Sequence, residues 1–317
     1  MAVAAGLATA ALGTDANGSI REPAAFCGIT GLKPTFGSVS RQGSVEMSPS
    51  TEHVGPLARS AFDAAAVLEV VAGRDPADPH SVQSPTRDFS STIRVGIRGR
   101  TIGIPDDFFF DDLAPDVADA VDDARAVLDG LGARLRGVRL PWAGVADDLC
   151  GVRLPWARVA DDLCGRLTRI ESASFFLNRL DMPDVVPKLG ELLRNRLTEG
   201  LAIEASDLHE IMVVRAGMRR AAEVAFGDVD LILTPTTRRT AGPMPLGHPV
   251  DGGGAKFTRV FAFTGQPCLT VPAGFDRDGM PIGLTLTARN FGEPVLFRAG
   301  HAFQTATDWH RLHPPLL

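Results

Sequence analysis

The chain has 317 residues, of which 44% are hydrophobic and 22% are charged, a profile typical of a soluble globular protein. Its 32 Lys and Arg residues against 38 Asp and Glu give a net charge of -6. No basic stripe alternates with aromatic residues, so direct nucleic-acid binding is not expected, although a partner could supply a basic surface. No segment approaches the roughly 20 apolar residues of a membrane span. The four cysteines lack metal-ligand spacing, and we expect a reduced, cytoplasmic protein.

Helix and strand patterns alternate along the chain, which predicts an α/β fold. Ser60-Ala61-Phe62-Asp63 has the form of a capping box, and the apolar run after it predicts a helix that ends at Gly73. Residues 94–104 read as a short strand, a turn and a second strand. Apolar residues at helical spacing predict a helix over residues 116–131.

The second half continues the alternation. The pattern predicts a long helix over residues 207–226, with Leu208, Ile211, Ala221 and Val224 as core contacts. Residues 230–235 are typical of a buried strand in a parallel or mixed sheet. The remaining predicted elements are strands at 268–272 and 282–287, a turn at 276–279 and a closing helix at 294–307. No Pro/Ser-rich linker interrupts this order, so we predict a single domain over residues 1–317.

A tandem repeat of 14 residues interrupts the pattern at residues 137–164. Residues 137–150 recur as 151–164, and the only difference is Gly144 against Arg158. Two units are too few for a solenoid, so we interpret the repeat as a duplication at the DNA level or an assembly error. Its Val-Arg-Leu-Pro sequence is typical of a strand end followed by a helix with Pro in its first turn. Only one copy can occupy that place, and the other must loop out.

Near the N-terminus a Gly-rich segment, Gly13–Arg21, contains an Asn-Gly-Ser triplet. The triplet alone is a weak signal, but further motifs follow it in order. They are Pro23–Gly28, Gly31–Gly37, Val39–Arg41, His53–Ser60, Leu233–Thr236, Thr264–Pro267, Gly279–Leu284 and Ala306–His310. Together these segments resemble the amidase signature family over nearly the whole chain. The resemblance implies an α/β/α layered domain around a large mixed sheet, and a serine nucleophile that forms an acyl-enzyme with amides.

The resemblance assigns roles to residues of the Gly-rich segment. Ser19 is the predicted nucleophile, and Thr14, Asp15 and Arg21 are predicted to support the loop. The predicted oxyanion hole consists of the backbone N–H groups of Ala16, Asn17, Gly18 and Ser19. The family's usual residue at position 17 is glycine; Asn tolerates left-handed backbone angles better than other side chains, so we expect a mild departure.

In the family, a lysine activates the nucleophile through a second serine held by a cis peptide bond. Both lie upstream of the nucleophile loop, and this sequence begins at Met1 without them. We therefore expect a domain that is incomplete at its N-terminus. Lys33 lies in a Lys-Pro-Thr turn that is structural in the family, so it is not expected to replace the base.

Three functions remain open from the sequence. The main interpretation is an amidase that cleaves the C–N bond of a small carboxamide without a metal or cofactor. The first alternative is the glutaminase (A) subunit of a tRNA-dependent amidotransferase, which needs a tRNA-binding companion. The second is a non-catalytic truncated remnant, which the missing triad members and the repeat favour. We expect no direct nucleic-acid or membrane partner, and self-association as a homodimer stays open.

Overall fold

The computed structural model describes residues 1–45, 47–106, 108–138, 140, 156–180, 188–242 and 256–314, without the side chains of 156–161 and 177–180. Eight strands form one sheet in the order β1-β3-β2-β7-β8-β6-β4-β5. The strands are β1 (Ala10–Asp15), β2 (Thr30–Lys33), β3 (His53–Ala58), β4 (Thr101–Pro105), β5 (Arg134–Val138), β6 (Leu231–Pro235), β7 (Cys268–Phe275) and β8 (Pro281–Ala288). Strand β4 runs parallel to β5 and β6, and the other pairs are antiparallel. The predicted α/β fold with a mixed sheet is confirmed.

Helices cover both faces of the sheet. They are α1 (Arg21–Phe26), α2 (Ala61–Val71), α3 (Pro115–Gly130), α4 (Trp156–Leu180), α5 (Glu191–Leu201), α6 (Ala205–Ala225), α7 (Lys256–Thr264) and α8 (Glu293–Thr307). In β6, Leu231 and Leu233 pack into the core beside α2, α3 and α8, while Ile232 packs into the core beside α4, α6 and α7. This alternation is the period-2 pattern of a strand buried on both faces. In the part of the chain that the structure describes, no helix combines the length and apolarity needed to cross a bilayer.

Most of the predicted elements are present within a few residues. The capping box exists as expected: Asp63 N donates to Ser60 Oγ at 3.1 Å, and Ser60 Oγ donates to Asp63 Oδ2 at 2.6 Å. The predicted strands around residues 230–235, 268–272 and 282–287 are β6, β7 and β8. The helices predicted over 116–131, 207–226 and 294–307 are α3, α6 and α8.

Two predictions about local structure are wrong. The segment before β4 is not a strand but a 3-10 turn, Ile93–Val95. Gly96 and Gly99 follow it with φ of +79° and +77°, angles that an extended strand does not adopt. On α6, Val224 is 73% exposed, so only part of the predicted apolar face packs against the core.

The two copies of the repeat contribute to different elements. The first copy begins within β5, which ends at Val138. The second copy supplies the start of α4 at Trp156, directly after Pro155. Residues 139 and 141–155 lie outside the described residues. The predictions that one copy joins a strand end to a helix, and that the other loops out, depend on these residues and stay predictions. The single-domain boundaries and the incomplete N-terminus stay predictions.

Helix α1, which follows the Gly-rich loop, packs closely on the sheet. A Cβ atom added to Gly31 in β2 would lie 2.7 Å from Ala24 Cβ and 3.0 Å from Ile20 Cγ2. Real side chains do not approach this closely, so glycine at position 31 sets the distance between helix and strand. The position of the loop before α1 depends on this contact.

We expect Gly31→Ala to lower the free energy of unfolding by about 1–3 kcal/mol, because the added methyl group overpacks the contact with α1. Gly217→Ala on α6 is the matched control, since its Cβ would meet nothing within 4 Å. That change should be neutral or raise stability by up to about 1 kcal/mol through helix propensity. Urea unfolding of both variants measures the difference, and equal effects would contradict the packing argument.

Candidate active site

The Gly-rich loop leaves the sheet at the end of β1, an edge strand of the sheet. Residues 16–20 form a turn that leads directly into α1. Ser19 is exposed, whereas Gly18 is buried with φ of +142°. The Ser19 hydroxyl makes no hydrogen bond to another described residue. The loop therefore presents the predicted nucleophile at the surface.

The backbone N–H groups of the loop fall into two sets. Within the described chain, those of Asn17, Gly18 and Ser19 donate to no protein acceptor. The next two, Ile20 N and Arg21 N, donate to Asp15 Oδ2 at 3.2 and 3.4 Å. Three consecutive donors beside a serine are the arrangement that can stabilise an oxyanion during acyl transfer.

A buried ion pair holds the two ends of the loop together. Arg21 Nε donates to Asp15 Oδ2 at 2.9 Å and Arg21 Nη2 donates to Asp15 Oδ1 at 2.8 Å, with both side chains fully buried. Arg21 Nη1 also donates to the Thr258 carbonyl at 2.7 Å. Burial alone would raise the pKa of Asp15, but the Arg21 guanidinium outweighs it and lowers that pKa to about 2. Asp15 is therefore ionised throughout the physiological range.

A lysine and a histidine extend this network below the loop. His53 Nδ1 lies 2.6 Å from the Thr51 carbonyl and 3.1 Å from the Asp15 carbonyl, so it carries the ring proton. His53 Nε2 accepts from Lys33 Nζ at 3.1 Å, and Lys33 also donates to the Gln266 carbonyl. Burial, together with the Lys33 charge, keeps the pKa of His53 well below its usual value. Burial lowers the pKa of Lys33 to about 8, and its ammonium group contacts these partners rather than Ser19.

Thr14, the remaining predicted support residue, acts through its backbone. It pairs with Val54 in the ladder between β1 and β3, and its side chain is exposed. Ala16, the first of the predicted oxyanion-hole residues, is half-buried at the start of the turn. The structure thus brings Thr14, Ala16 and Ser19 together around one turn.

Asn17 departs from the expected conformation. Its φ is not among the positive values of the chain, so the left-handed tolerance of asparagine does not explain its presence. Its side chain instead reaches α4, where Oδ1 accepts from Cys164 Sγ at 3.1 Å. Oδ1 also lies 3.4 Å from Thr168 Oγ1, whose hydroxyl donates to the Cys164 carbonyl at 2.8 Å. A glycine would lack this link between the loop and α4. The partners lie about 150 residues away in sequence, so no local pattern could reveal the contact.

Sequence reasoning also missed two residues behind the loop, Glu22 and Thr258. Thr258 Oγ1 lies within hydrogen-bond distance of the Asn17 carbonyl and is 2.9 Å from Glu22 Oε1. Burial is the main reason that the pKa of Glu22 is raised to about 7. A glutamate in the first turn of a helix is ordinarily explained by a favourable contact with the helix dipole, so the sequence gives no signal of its burial.

A surface cavity of about 450 Å³ lies elsewhere, around the start of β6 and the start of α8. Two of its arginines already have protein partners: Arg100 pairs with Asp230 at 2.8 Å, and Arg298 donates to the Gly96 carbonyl at 2.9 Å. None of the loop residues lines it. In the described part of the chain, no three His, Cys, Asp or Glu side chains come close enough to hold a metal ion.

We expect Asp15→Asn to lower the free energy of unfolding by about 3–5 kcal/mol at neutral pH, because it leaves the Arg21 charge buried without its partner. The stability that Asp15 contributes should be present above its usual pKa of 3.8 and be lost as pH falls towards about 2. Urea unfolding at several pH values measures both effects.

Asp122→Asn is the control, since Asp122 pairs with Arg125 at 2.8 Å but is 70% exposed. It should change the free energy of unfolding by less than about 1 kcal/mol. Similar losses in the two variants would contradict a special role for the buried pair.

Relatives of known sequence match nearly the whole chain. The chain is 38% identical to the A subunit of glutamyl-tRNA(Gln) amidotransferase from Roseiflexus sp. (strain RS-1), over 99% of this chain and 66% of the relative. It is 35% identical to the protein of the same name from Moorella thermoacetica, with the same coverage. The chain therefore spans about two thirds of the length of the relatives that it matches.

Solved structures are similar as well. The A subunit of glutamyl-tRNA(Gln) amidotransferase from Thermotoga maritima superposes with a TM-score of 0.80 at 28% identity, over 96% of this chain and 64% of that one. A peptide amidase in complex with the inhibitor chymostatin gives a TM-score of 0.77 at 28% identity, over 99% and 65%. The amidase family model matches residues 1–297. By this match and these relatives, the chain belongs to the amidase family.

Proposed function

We propose that Ser19 is the nucleophile of an amide hydrolase and that the chain acts as the glutaminase (A) subunit of a tRNA-dependent amidotransferase. The observation that carries the chemistry is the row of N–H groups at Asn17, Gly18 and Ser19, which donate to no described acceptor, beside the exposed Ser19 hydroxyl. The relatives that carry the name of this A subunit, at 34–38% identity over 99% of this chain, favour it over a free-standing amidase.

In the proposed reaction, Ser19 Oγ attacks the side-chain carbonyl carbon of glutamine. The oxygen of the tetrahedral intermediate takes up negative charge, which the backbone N–H groups of residues 16–19 stabilise. As the intermediate collapses, the leaving nitrogen takes up the proton that Ser19 Oγ gave up, the C–N bond breaks, ammonia is released and a glutamyl ester remains on Ser19. Water then hydrolyses the ester, and the second tetrahedral intermediate uses the same N–H groups.

The loop needs a proton acceptor for Ser19. No described residue hydrogen-bonds its hydroxyl, and the resemblance assigns this role to a lysine acting through a second serine. The contribution of the described residues is therefore to position Ser19 and stabilise the oxyanion. A companion that binds tRNA would receive the ammonia.

We expect any release of ammonia from glutamine by the purified protein to fall to background in Ser19→Ala, because the acyl-enzyme cannot form without the Ser19 hydroxyl. Ser91→Ala is the matched control, because Ser91 is also exposed but lies far from the loop in sequence. A coupled ammonia assay with glutamine, benzamide and acetamide as substrates makes the measurement.

The substrates separate the alternatives. Turnover of benzamide or acetamide without glutamine would support the free-standing amidase instead. A folded protein that hydrolyses none of the three would support the non-catalytic remnant. A rate that survives in Ser19→Ala would remove Ser19 from the mechanism.

A further inference from the structure

The hydroxyl of Thr258, on α7, lies between two acceptors. One is the carbonyl oxygen of Asn17, and the other is Glu22 Oε1 at 2.9 Å. A hydroxyl carries one proton and can donate only one of these two bonds. Both contacts are made at once if the Glu22 carboxyl group is protonated and donates to Thr258, which then donates to Asn17. The geometry therefore favours a neutral Glu22.

The surroundings of Glu22 agree with this protonation state. Burial has the largest effect and raises its pKa, and the negative charge of Asp15 raises it further, while the hydrogen bond with Thr258 and the guanidinium groups of Arg21 and Arg259 lower it without reversing the shift. Arg21 is itself neutralised by its ion pair with Asp15. The titratable and charged groups on the elements around Glu22 are Asp15 on β1, Arg21 on α1, Lys33 on β2, Cys268 on β7, and Lys256 and Arg259 on α7. Strand β8, which also packs against α1, carries no ionisable side chain.

The carbonyl held by Thr258 belongs to the same peptide group as the N–H of Gly18. Fixing the oxygen of a peptide group fixes the direction of its N–H on the opposite side, because the group is planar. A hydrogen bond to the oxygen also polarises the amide and strengthens the N–H as a donor. A Cβ added to Gly18 would lie 2.7 Å from Glu22 Oε1, so Glu22 packs directly against this peptide.

We propose that Glu22 is a positioning residue whose protonated carboxyl group holds Thr258, and through it the Asn17 carbonyl, so that Gly18 N–H points at the oxyanion. This inference rests on the proposed function, since it concerns the same oxyanion hole. When Glu22 ionises, Thr258 donates to the carboxylate instead, because hydrogen bonds to charged acceptors are stronger. The Asn17 carbonyl then loses its donor, and the oxyanion hole stabilises the oxyanion less as pH rises.

The hydrogen bonds from Glu22 to Thr258 and from Thr258 to the Asn17 carbonyl form a relay. The NMR signal of the Gly18 amide tests this relay without requiring turnover. In ¹H–¹⁵N spectra of the wild-type protein, we expect this signal to shift with a single titration near pH 7, the pKa of Glu22. Glu22→Gln should abolish the titration, since its amide donates to Thr258 at every pH. Thr258→Val should abolish it as well, because the link is removed, and Thr258→Ser should restore it. Glu210→Gln, a change at an exposed glutamate on α6, is the control and should leave the titration unchanged.

Kinetics provide the second readout. We expect the wild-type kcat for glutamine to fall as pH rises through about 7, and the profile of Glu22→Gln to lack this fall. Thr258→Val should lower kcat on the order of 10-fold with little change in KM, because only the oxyanion contact is affected.

A Gly18 signal that does not titrate, or a titration that persists in Glu22→Gln, would overturn the relay. Suppose that Ser19→Ala abolishes turnover but the Gly18 signal does not depend on Glu22. That result would overturn the relay and leave the proposed function standing. If instead the Gly18 titration depends on Glu22 but turnover does not depend on Ser19, the proposed function is overturned and the hydrogen-bond relay stands.

Discussion

The candidate site depends on the buried ion pair between Asp15 and Arg21. Asp15 ends β1 and Arg21 begins α1, so the pair fixes where the strand stops, where the helix starts and how the turn between them closes. The same carboxylate binds the N–H groups of Ile20 and Arg21. The three N–H groups before them donate to no acceptor in the described part of the chain. A buried charge without its partner is costly, and the pair therefore tolerates few rearrangements of the loop.

Two carboxyl groups close to each other meet opposite environments. Asp15 has a guanidinium partner and a pKa lowered to about 2, whereas Glu22 has a hydroxyl partner and a pKa raised to about 7. One group is thus an obligatory anion and the other is suited to donate a hydrogen bond at neutral pH. Environments that separate the pKa values of neighbouring acids in this way are a recurrent feature of active sites. Here both acids act on the backbone of the loop rather than on a substrate.

The order of elements could be predicted from the sequence because it depends on local patterns. The capping box at Ser60 and the buried run of β6 are contained within a few residues, and both predictions are confirmed. The order of strands in the sheet could not be predicted, because β2 pairs with β7 across more than 200 residues. The loop from Gly13 to Arg21 could be recognised from its motif, yet its roles in catalysis stay predictions.

The contacts behind the loop had no local signal. The side chain of Asn17 has its hydrogen-bond partner on α4, and that of Glu22 has its partner on α7. Neither helix is near the loop in sequence. The left-handed angle expected at Asn17 was wrong because a local rule was applied to a residue whose conformation depends on a distant partner. Likewise, the first strand predicted before β4 failed because two apolar residues suggested an extended segment where glycines with positive φ turn the chain.

The placement of the repeat has a consequence for how the sequence can change. Strand β5 ends inside the first copy and α4 begins inside the second, and residues 139–155 separate them in the sequence. Loss of one copy by recombination between the identical stretches would leave Arg-Leu-Pro as the whole connection, a length common between a strand and the next helix. Both elements would keep their residues, and the cysteine and threonine that contact Asn17 would keep their distance from the start of α4. Such a loss would therefore leave the residue sequences of β5 and α4 intact, including the α4 residues that contact Asn17.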